Sequence, residues 1–370
     1  MKDTLICTVG TSLLGNLKRA ADQKLQNAYT SENWPEVLSL LKKLSVDAKI
    51  CGAEINSTAA IVSRNYLDHC QRLILLYSDT PDGENVGKLL QSYFDSSKEL
   101  AFKEVSARPL KGLTDRDVRS FQNKGLLSLV QEISELVRKY GLESVLINAT
   151  GGYKAQISFA GMIGQAFDIP VFYLFENFSE IIELPPQPIA LDLSLWLENY
   201  AAFEQIEEAE GELTFLEDLP LDIQQQVPAL MFNLTPEGGK HFIELTAMGY
   251  LFHERCRLQF QRQETTLLNR IPQTDLLPER KRIDLRDDHG NDLLMKISKK
   301  LCQSPYVIEV VNSLPWNPKA TKPIRRTTHN GLIDFVMVHT DRGLGVCLRT
   351  TGRTRVETNT IAAHLADRYG

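Results

Sequence analysis

No run of about 18 apolar residues occurs in the chain, so nothing in it reads as a membrane-spanning helix. The first apolar stretch, Leu5 to Leu14, is interrupted by glycine and hydroxyl residues and reads as a strand and turn rather than a secretory signal. Cysteine is sparse: the six, at 7, 51, 70, 256, 302 and 347, form no C-x-x-C pair and keep no regular spacing. That excludes a disulfide framework and a four-thiolate zinc site, and the expected compartment is a reducing cytoplasm. His253 and Cys256 share one helical face, as half of a metal site would, but no second half is present; they read as core residues and no metal is expected. A strong excess of charge is also missing. With a net charge of −6, 43% hydrophobic and 24% charged residues, the chain is ordinarily globular, which argues against non-specific nucleic-acid binding by the whole molecule but not against a local basic face. Neither G-x-x-x-x-G-K-[ST] nor G-x-G-x-x-G occurs, so the phosphate-binding loop of P-loop enzymes and the dinucleotide fingerprint are both absent.

What is present is an alternation of short apolar runs with amphipathic stretches over the first half. Thr4–Val9, Arg72–Tyr77, Phe102–Val105, Ser144–Asn148 and Pro170–Phe175 read as buried strands. Trp34–Leu44, Glu54–Leu67, Glu84–Phe94, Asp115–Tyr140 and Lys154–Phe167 read as the helices between them. Such alternation implies βαβ units, a mostly parallel sheet and right-handed crossovers. Glu180–Leu184 is a further edge strand before the prolines at 185, 186 and 188, which mark a boundary. The expected organisation is a sensor domain over 1–188, a helical or winged-helix connector over 189–265 and a small α+β domain over 266–370.

Between Glu198 and Asp222 lie nine acidic residues and no basic one, which reads as a solvated helix and loop, or as a docking surface for something basic. Residues 223–253 read as helix, turn (Leu234 to Gly238) and helix, without a basic recognition helix. Residues 318–370 reverse the balance, with nine basic and four acidic residues, a local +5 on an acidic chain. That asymmetry points to an RNA or phosphate partner for the last domain.

Two loops in the first half carry chemistry. The first strand runs into Gly10-Thr11-Ser12, and the fourth in sheet logic runs into Asn148-Ala149-Thr150-Gly151-Gly152-Tyr153-Lys154-Ala155-Gln156, which opens a helix. In a doubly wound sheet, ligands sit at the carboxyl ends of the strands. Glycines there let backbone N–H groups approach phosphate oxygens beside a helix N-terminus. Thr11, Ser12 and Thr150 offer hydroxyls, Asn148 and Gln156 amides, and Lys154 a compact positive charge. These residues, with Cys7–Ser12, Cys51–Ser57 and Tyr77–Thr80, resemble the CRISPR-associated Rossmann-fold (CARF) sensor over about residues 1–185. The resemblance implies a Rossmann-like α/β fold and a homodimer that binds cyclic oligoadenylate, cyclic tetra-adenylate in particular, across its two-fold axis. It implies that Gly10, Thr11, Ser12, Asn148, Thr150, Gly151, Gly152, Lys154 and Gln156 form the ligand site. Some members of this family also cleave their ligand slowly.

Sensors of this kind commonly carry a HEPN ribonuclease, marked by R-x(4–6)-H; the spacings from Arg325 and Arg326 to His329, and from Arg355 to His364, do not match it. A restriction-enzyme-like core needs an Asp followed on the next strand by E-x-K, and that pattern is absent too. Instead, Gly331–Val338, Leu344–Leu348 and the turn Gly352-Arg353-Thr354-Arg355 are similar to the RelE toxin family, which cuts mRNA on the ribosome without a metal. That similarity implies an effector with Arg325, Arg326, Arg353 and Arg355 offsetting phosphate charge; it leaves the general base unassigned, and His329 is the candidate because an imidazole suits proton transfer near neutral pH. Thr358, Asn359 and Thr360 occupy the stretch after the turn where the family has a tyrosine, and Asp334 stands near where the family places an arginine. The combined expectation is a cyclic oligoadenylate-activated, metal- and cofactor-independent ribonuclease of type III CRISPR antiviral defence, acting on mRNA at the ribosome. The alternatives are a CARF winged-helix transcriptional regulator and a ring nuclease that degrades the cyclic oligoadenylate.

Overall fold

Thr4–Thr8 is buried along its whole length, the near-continuous apolar pattern of a strand covered on both faces. A computed structural model describes residues 1–175, 180–185, 191–207, 214–219, 221–224, 230–286, 290–318, 320–339 and 342–370. The chain divides into two compact units, Met1–Ala190 and Leu191–Gly370.

In the first unit, β1 (Thr4–Thr8), β2 (Arg72–Ser78), β3 (Glu104–Leu110), β4 (Val145–Asn148), β5 (Val171–Leu174) and β6 (Ile181–Leu184) form one sheet in the order β3-β2-β1-β4-β5-β6. All pairs are parallel except β5–β6, which is antiparallel. Helices α1 (Ser12–Lys18), α2 (Gln23–Thr30), α3 (Trp34–Leu41), α4 (Gly52–Ser63), α5 (Pro81–Asp95), the single turn α6 (Val118–Ser120), α7 (Leu126–Tyr140) and α8 (Lys154–Phe167) connect the strands. Their boundaries have local causes. Thr80 accepts the Gly83 N–H ahead of α5, Pro81 supplies its first turn, and Asp82 and Glu84 complement its dipole. In α7, Leu126, Leu129, Val130, Ile133, Leu136 and Val137 are buried at helical spacing, and Gly141 at φ +86° ends it. Burial of each such side chain stabilises by about 1.5–3 kcal/mol.

The strand expected at Phe102–Val105 instead runs Glu104–Leu110 and includes Pro109. A proline without a donor is tolerated there because β3 is an edge strand.

The second unit opens with α9 (Leu193–Glu198), α10 (Tyr200–Ile206) and α11 (Leu221–Gln224). The expected helix–turn–helix is corrected: the segment is a hairpin, β7 (Phe232–Glu237) with β8 (Lys240–Leu245). Gly238 and Gly239, at φ +59° and +85°, make its two-residue turn, which only glycine enters at little cost. Then come α12 (Ala247–Leu268), α13 (Asn291–Leu301), β9 (Val307–Ser313), β10 (Ile324–Thr327), β11 (Leu332–Val336), β12 (Gly345–Thr350) and α14 (Arg355–Tyr369). The last four strands form an antiparallel sheet in the order β10-β11-β12-β9. α14 packs on β10, β11, α9 and α12, so the connector helices and the C-terminal sheet share one unit rather than standing as two domains. Among the described residues no helix is long and apolar enough to cross a membrane.

Candidate functional site

Strand order reverses between β1 and β4, and the loops that leave these strands meet in the resulting crevice. They touch at glycine: a Cβ on Gly10 would lie 2.7 Å from the Gly152 nitrogen. Gly151 admits no side chain either, since its Cβ would fall 2.1 Å from Glu54 Oε1 and 2.8 Å from the Thr8 carbonyl. Gly152 sits at φ +106°.

Several polar residues expected to bind ligand also hold the loop together. Asn148, 1% exposed, donates to Ser57 Oγ (2.8 Å), while its Oδ1 accepts from the Thr150 hydroxyl (2.7 Å) and N–H (3.3 Å). The Thr150 hydroxyl in turn accepts the Leu174 N–H. Thr8 Oγ1 donates to the Gly151 carbonyl at 2.5 Å. Gln156 is fully buried; its Oε1 accepts the Tyr153 N–H (3.3 Å), and its Nε2 is unpartnered. Thr11, Ser12 and Lys154 are exposed at the rim, with Lys154 at the first position of α8. The nine expected residues therefore divide into a hydrogen-bonded scaffold (Asn148, Thr150, Gly151, Gln156), close-packed glycines (Gly10, Gly152) and an open rim of two hydroxyls and one ammonium.

Glu54 is the residue that sequence reasoning missed. From α4 its Oε1 accepts the Gly10 N–H at 2.7 Å, clasping the β1 loop, while Oε2 is buried without a partner. Burial pushes its carboxyl above the ordinary value, against the lowering effect of the Gly10 hydrogen bond. A glutamate in the first turn of a helix ordinarily complements the dipole in solvent, so within Cys51–Ser57, a stretch that carries part of the resemblance, nothing singled Glu54 out.

The residues expected to act on RNA lie in the second unit. His329, in the β10–β11 turn, meets Arg355, the first residue of α14: Nη2 lies 2.7 Å from Nε2 and Nε 3.4 Å from Nδ1. Thr354 caps α14 by accepting the Glu357 N–H, and Glu357 accepts the Arg353 N–H at 2.8 Å, which fixes the turn. Arg353 and Arg325 are exposed. Arg326 departs from this group: it pairs in register with Asp334 and lines a separate cavity on the sheet face. Asp334 stands opposite Cys347, and Arg349, two residues on, pairs with Glu309 at 2.9 Å. A thiol and a guanidinium thus occupy the Glu and Lys positions of the restriction-type pattern. Burial, then the Asp334 carboxylate, pushes the Cys347 thiol up to about 12, so it stays protonated and is a poor ligand for a hard cation.

The acidic segment is not wholly solvated. Glu204 and Glu207 are 6% and 9% exposed and take Arg257 Nη2 at 3.1 and 2.9 Å; Glu207 also binds Lys322. Burial alone would raise the Glu207 carboxyl, but His253, Arg257 and Lys322 together hold it well below the carboxylate range. His253 joins these two glutamates, not Cys256, in a group whose ligand atoms all lie within 4.8 Å of one another. It is a poor metal site. Trp196 Nε1 donates to His253 Nδ1 (2.8 Å), so the other ring nitrogen carries the proton and neither offers a lone pair to an ion.

Residues 49–187, within the first unit, match the family described as CRISPR-associated protein (Cas_APE2256). This part of the chain is therefore similar to CRISPR-associated proteins. Among solved structures, Can2 from Sulfobacillus thermosulfidooxidans, in complex with cyclic tetra-adenylate, is similar at 12% identity and a TM-score of 0.26, over 83% of this chain and 88% of that one. No curated protein matches the chain.

Proposed function

We propose that the chain is a CRISPR-associated effector of type III defence, in which the first unit binds cyclic oligoadenylate as a homodimer and thereby controls a ribonuclease in the second. The observation that carries the first half is the crevice at the β1–β4 reversal, whose β4 side lies within the residues that match a CRISPR-associated family. Its glycine backbone can approach phosphates, and its exposed polar rim is Thr11, Ser12 and Lys154. A two-fold ligand such as cyclic tetra-adenylate suits an isologous dimer.

The contact between His329 and Arg355 supports the second half. In this reading the imidazole takes the proton of a ribose 2′-hydroxyl, whose oxygen attacks the adjacent phosphorus. The P–O5′ bond breaks, the 5′-oxygen leaves with the bonding pair and takes the proton back from the imidazolium, and a 2′,3′-cyclic phosphate forms. Arg355, Arg353 and Arg325 offset the charge that develops on the phosphate, as the RelE resemblance implies. At rest the guanidinium faces the imidazole nitrogens, so substrate must draw Arg355 onto the phosphate and free the base in one movement.

The test is RNA cleavage by the full chain, on free mRNA and on translating ribosomes, with and without cyclic tetra-adenylate. The expected result is ligand-dependent cleavage that falls by roughly 10²–10⁴-fold in His329→Ala, the usual loss of a general base, and comparably in Arg355→Ala. Ligand turnover without RNA cleavage would replace this reading with the ring-nuclease one.

A further inference from the structure

Four strands of the C-terminal sheet each place one polar residue in a single cross-strand row. Register pairs Arg326 with Asp334, Asp334 with Cys347, and Cys347 with Asn312. Neighbours in such a row are about 5 Å apart at Cα. The alternate residues Ile333, Phe335, Val346 and Leu348 are at most 1% exposed, so they form the core face and the row belongs to the other. There it lines a cavity of about 230 Å³ that Leu314 and Leu332 help to wall. Asn312 Oδ1 is buried without a hydrogen-bond partner. The row therefore reads, in order, as a cationic donor, an anionic acceptor, a weak thiol and an amide with a vacant acceptor oxygen.

We infer that this row recognises guanine in single-stranded RNA, with Arg326 donating to O6 and Asp334 accepting from N1–H and N2–H. The inference rests on the reading that this unit works on RNA. Guanine is the one RNA base whose pairing edge presents an acceptor followed by two adjacent donors, the complement of a guanidinium beside a carboxylate. Adenine offers a donor and an acceptor, cytosine a donor and two acceptors, and uracil a donor between two acceptors. Each would turn a lone pair towards a carboxylate that can only accept, so discrimination comes from repulsion as well as attraction. Leu314 and Leu332 supply apolar surface for the base. Thr328, which also lines the cavity, precedes His329 in the chain, so a guanine held here sits beside the group proposed to cut the strand.

The experiment titrates the full-length protein calorimetrically with guanosine, inosine, adenosine, cytidine and uridine 5′-monophosphates. Inosine differs from guanosine only in lacking the 2-amino group. The guanine nucleotide should bind at least roughly ten-fold tighter than each of the others, and Asp334→Asn should cost about ten- to hundred-fold, the range for loss of a bidentate base contact. Arg326→Gln changes an exposed side chain, which folding tolerates, and should weaken binding in the same direction. Equal affinity for guanosine and inosine monophosphates, or unchanged guanine binding in both variants, would overturn the inference. A guanine preference without RNA cleavage keeps the site and removes the ribonuclease reading. Ligand-dependent cleavage of guanine-free and guanine-containing RNA at equal rates keeps the ribonuclease and removes the guanine site.

Discussion

At the scale of single residues, the ligand crevice depends on a carboxylate whose charge is unwelcome where it sits. Glu54 is 1% exposed, holds the Gly10 N–H with one oxygen and leaves the other unpaired. Its folded-state pKa is raised from 4.5, so its stabilising contribution is fully present below that value and is lost as pH rises through the folded one. Glu54→Gln keeps an acceptor for Gly10 and carries no charge. The variant should gain melting temperature relative to the wild type as pH rises, with the difference shrinking below pH 4.5, in parallel scans by differential scanning fluorimetry. A pH-independent difference would refute the buried-carboxylate account. The other site residues were legible by type: Gly10, Thr11, Ser12, Asn148, Thr150 to Gly152, Lys154 and Gln156 do line the two loops. Whether each faces outward or builds the scaffold was not legible, because Asn148 and Thr150 find their partners only once α4 and β5 are packed beside them.

Elements were recovered best where the period was strong and the ends were marked. α8 runs from Lys154 to Phe167 as its pattern indicates, and β1, β2, β4 and β5 fall within a residue or two of the expected runs. The hairpin at Phe232–Leu245 was missed because its strands are short and largely solvated, so no clean alternation announces them; the Gly238-Gly239 pair was the available signal. α14 carries Arg355 in its first turn, and Thr354 caps it. Thr354→Ala should cost about 1 kcal/mol in chemical denaturation, the usual worth of such a cap. It should also lower RNA cleavage, because the Arg353–Arg355 turn loses its anchor. Loss of stability with cleavage unchanged would detach that turn from the chemistry.

For the whole molecule, the proposal makes ligand binding visible as stability. A ligand at 100 times its Kd should stabilise the unit that binds it by about 2.7 kcal/mol. Cyclic tetra-adenylate should therefore raise the melting temperature of the full chain in a concentration-dependent way, and Lys154→Glu, which reverses the exposed charge at the start of α8, should abolish most of the shift. A shift of equal size in Lys154→Glu would place the ligand elsewhere.

Composition and periodicity by themselves determined the parallel α/β character of the first half, the boundary near the prolines at 185–188, and the two strand-end loops, because buried strands and amphipathic helices need those patterns whatever they pack against. Tertiary structure alone decided which polar residues meet. Glu54 reaches Gly10 across 44 positions, His329 reaches Arg355 across 26, and the row from Arg326 to Asn312 exists only because antiparallel register aligns four strands. Register is a property of pairing, not of any one strand, so no reading of a single segment contains it.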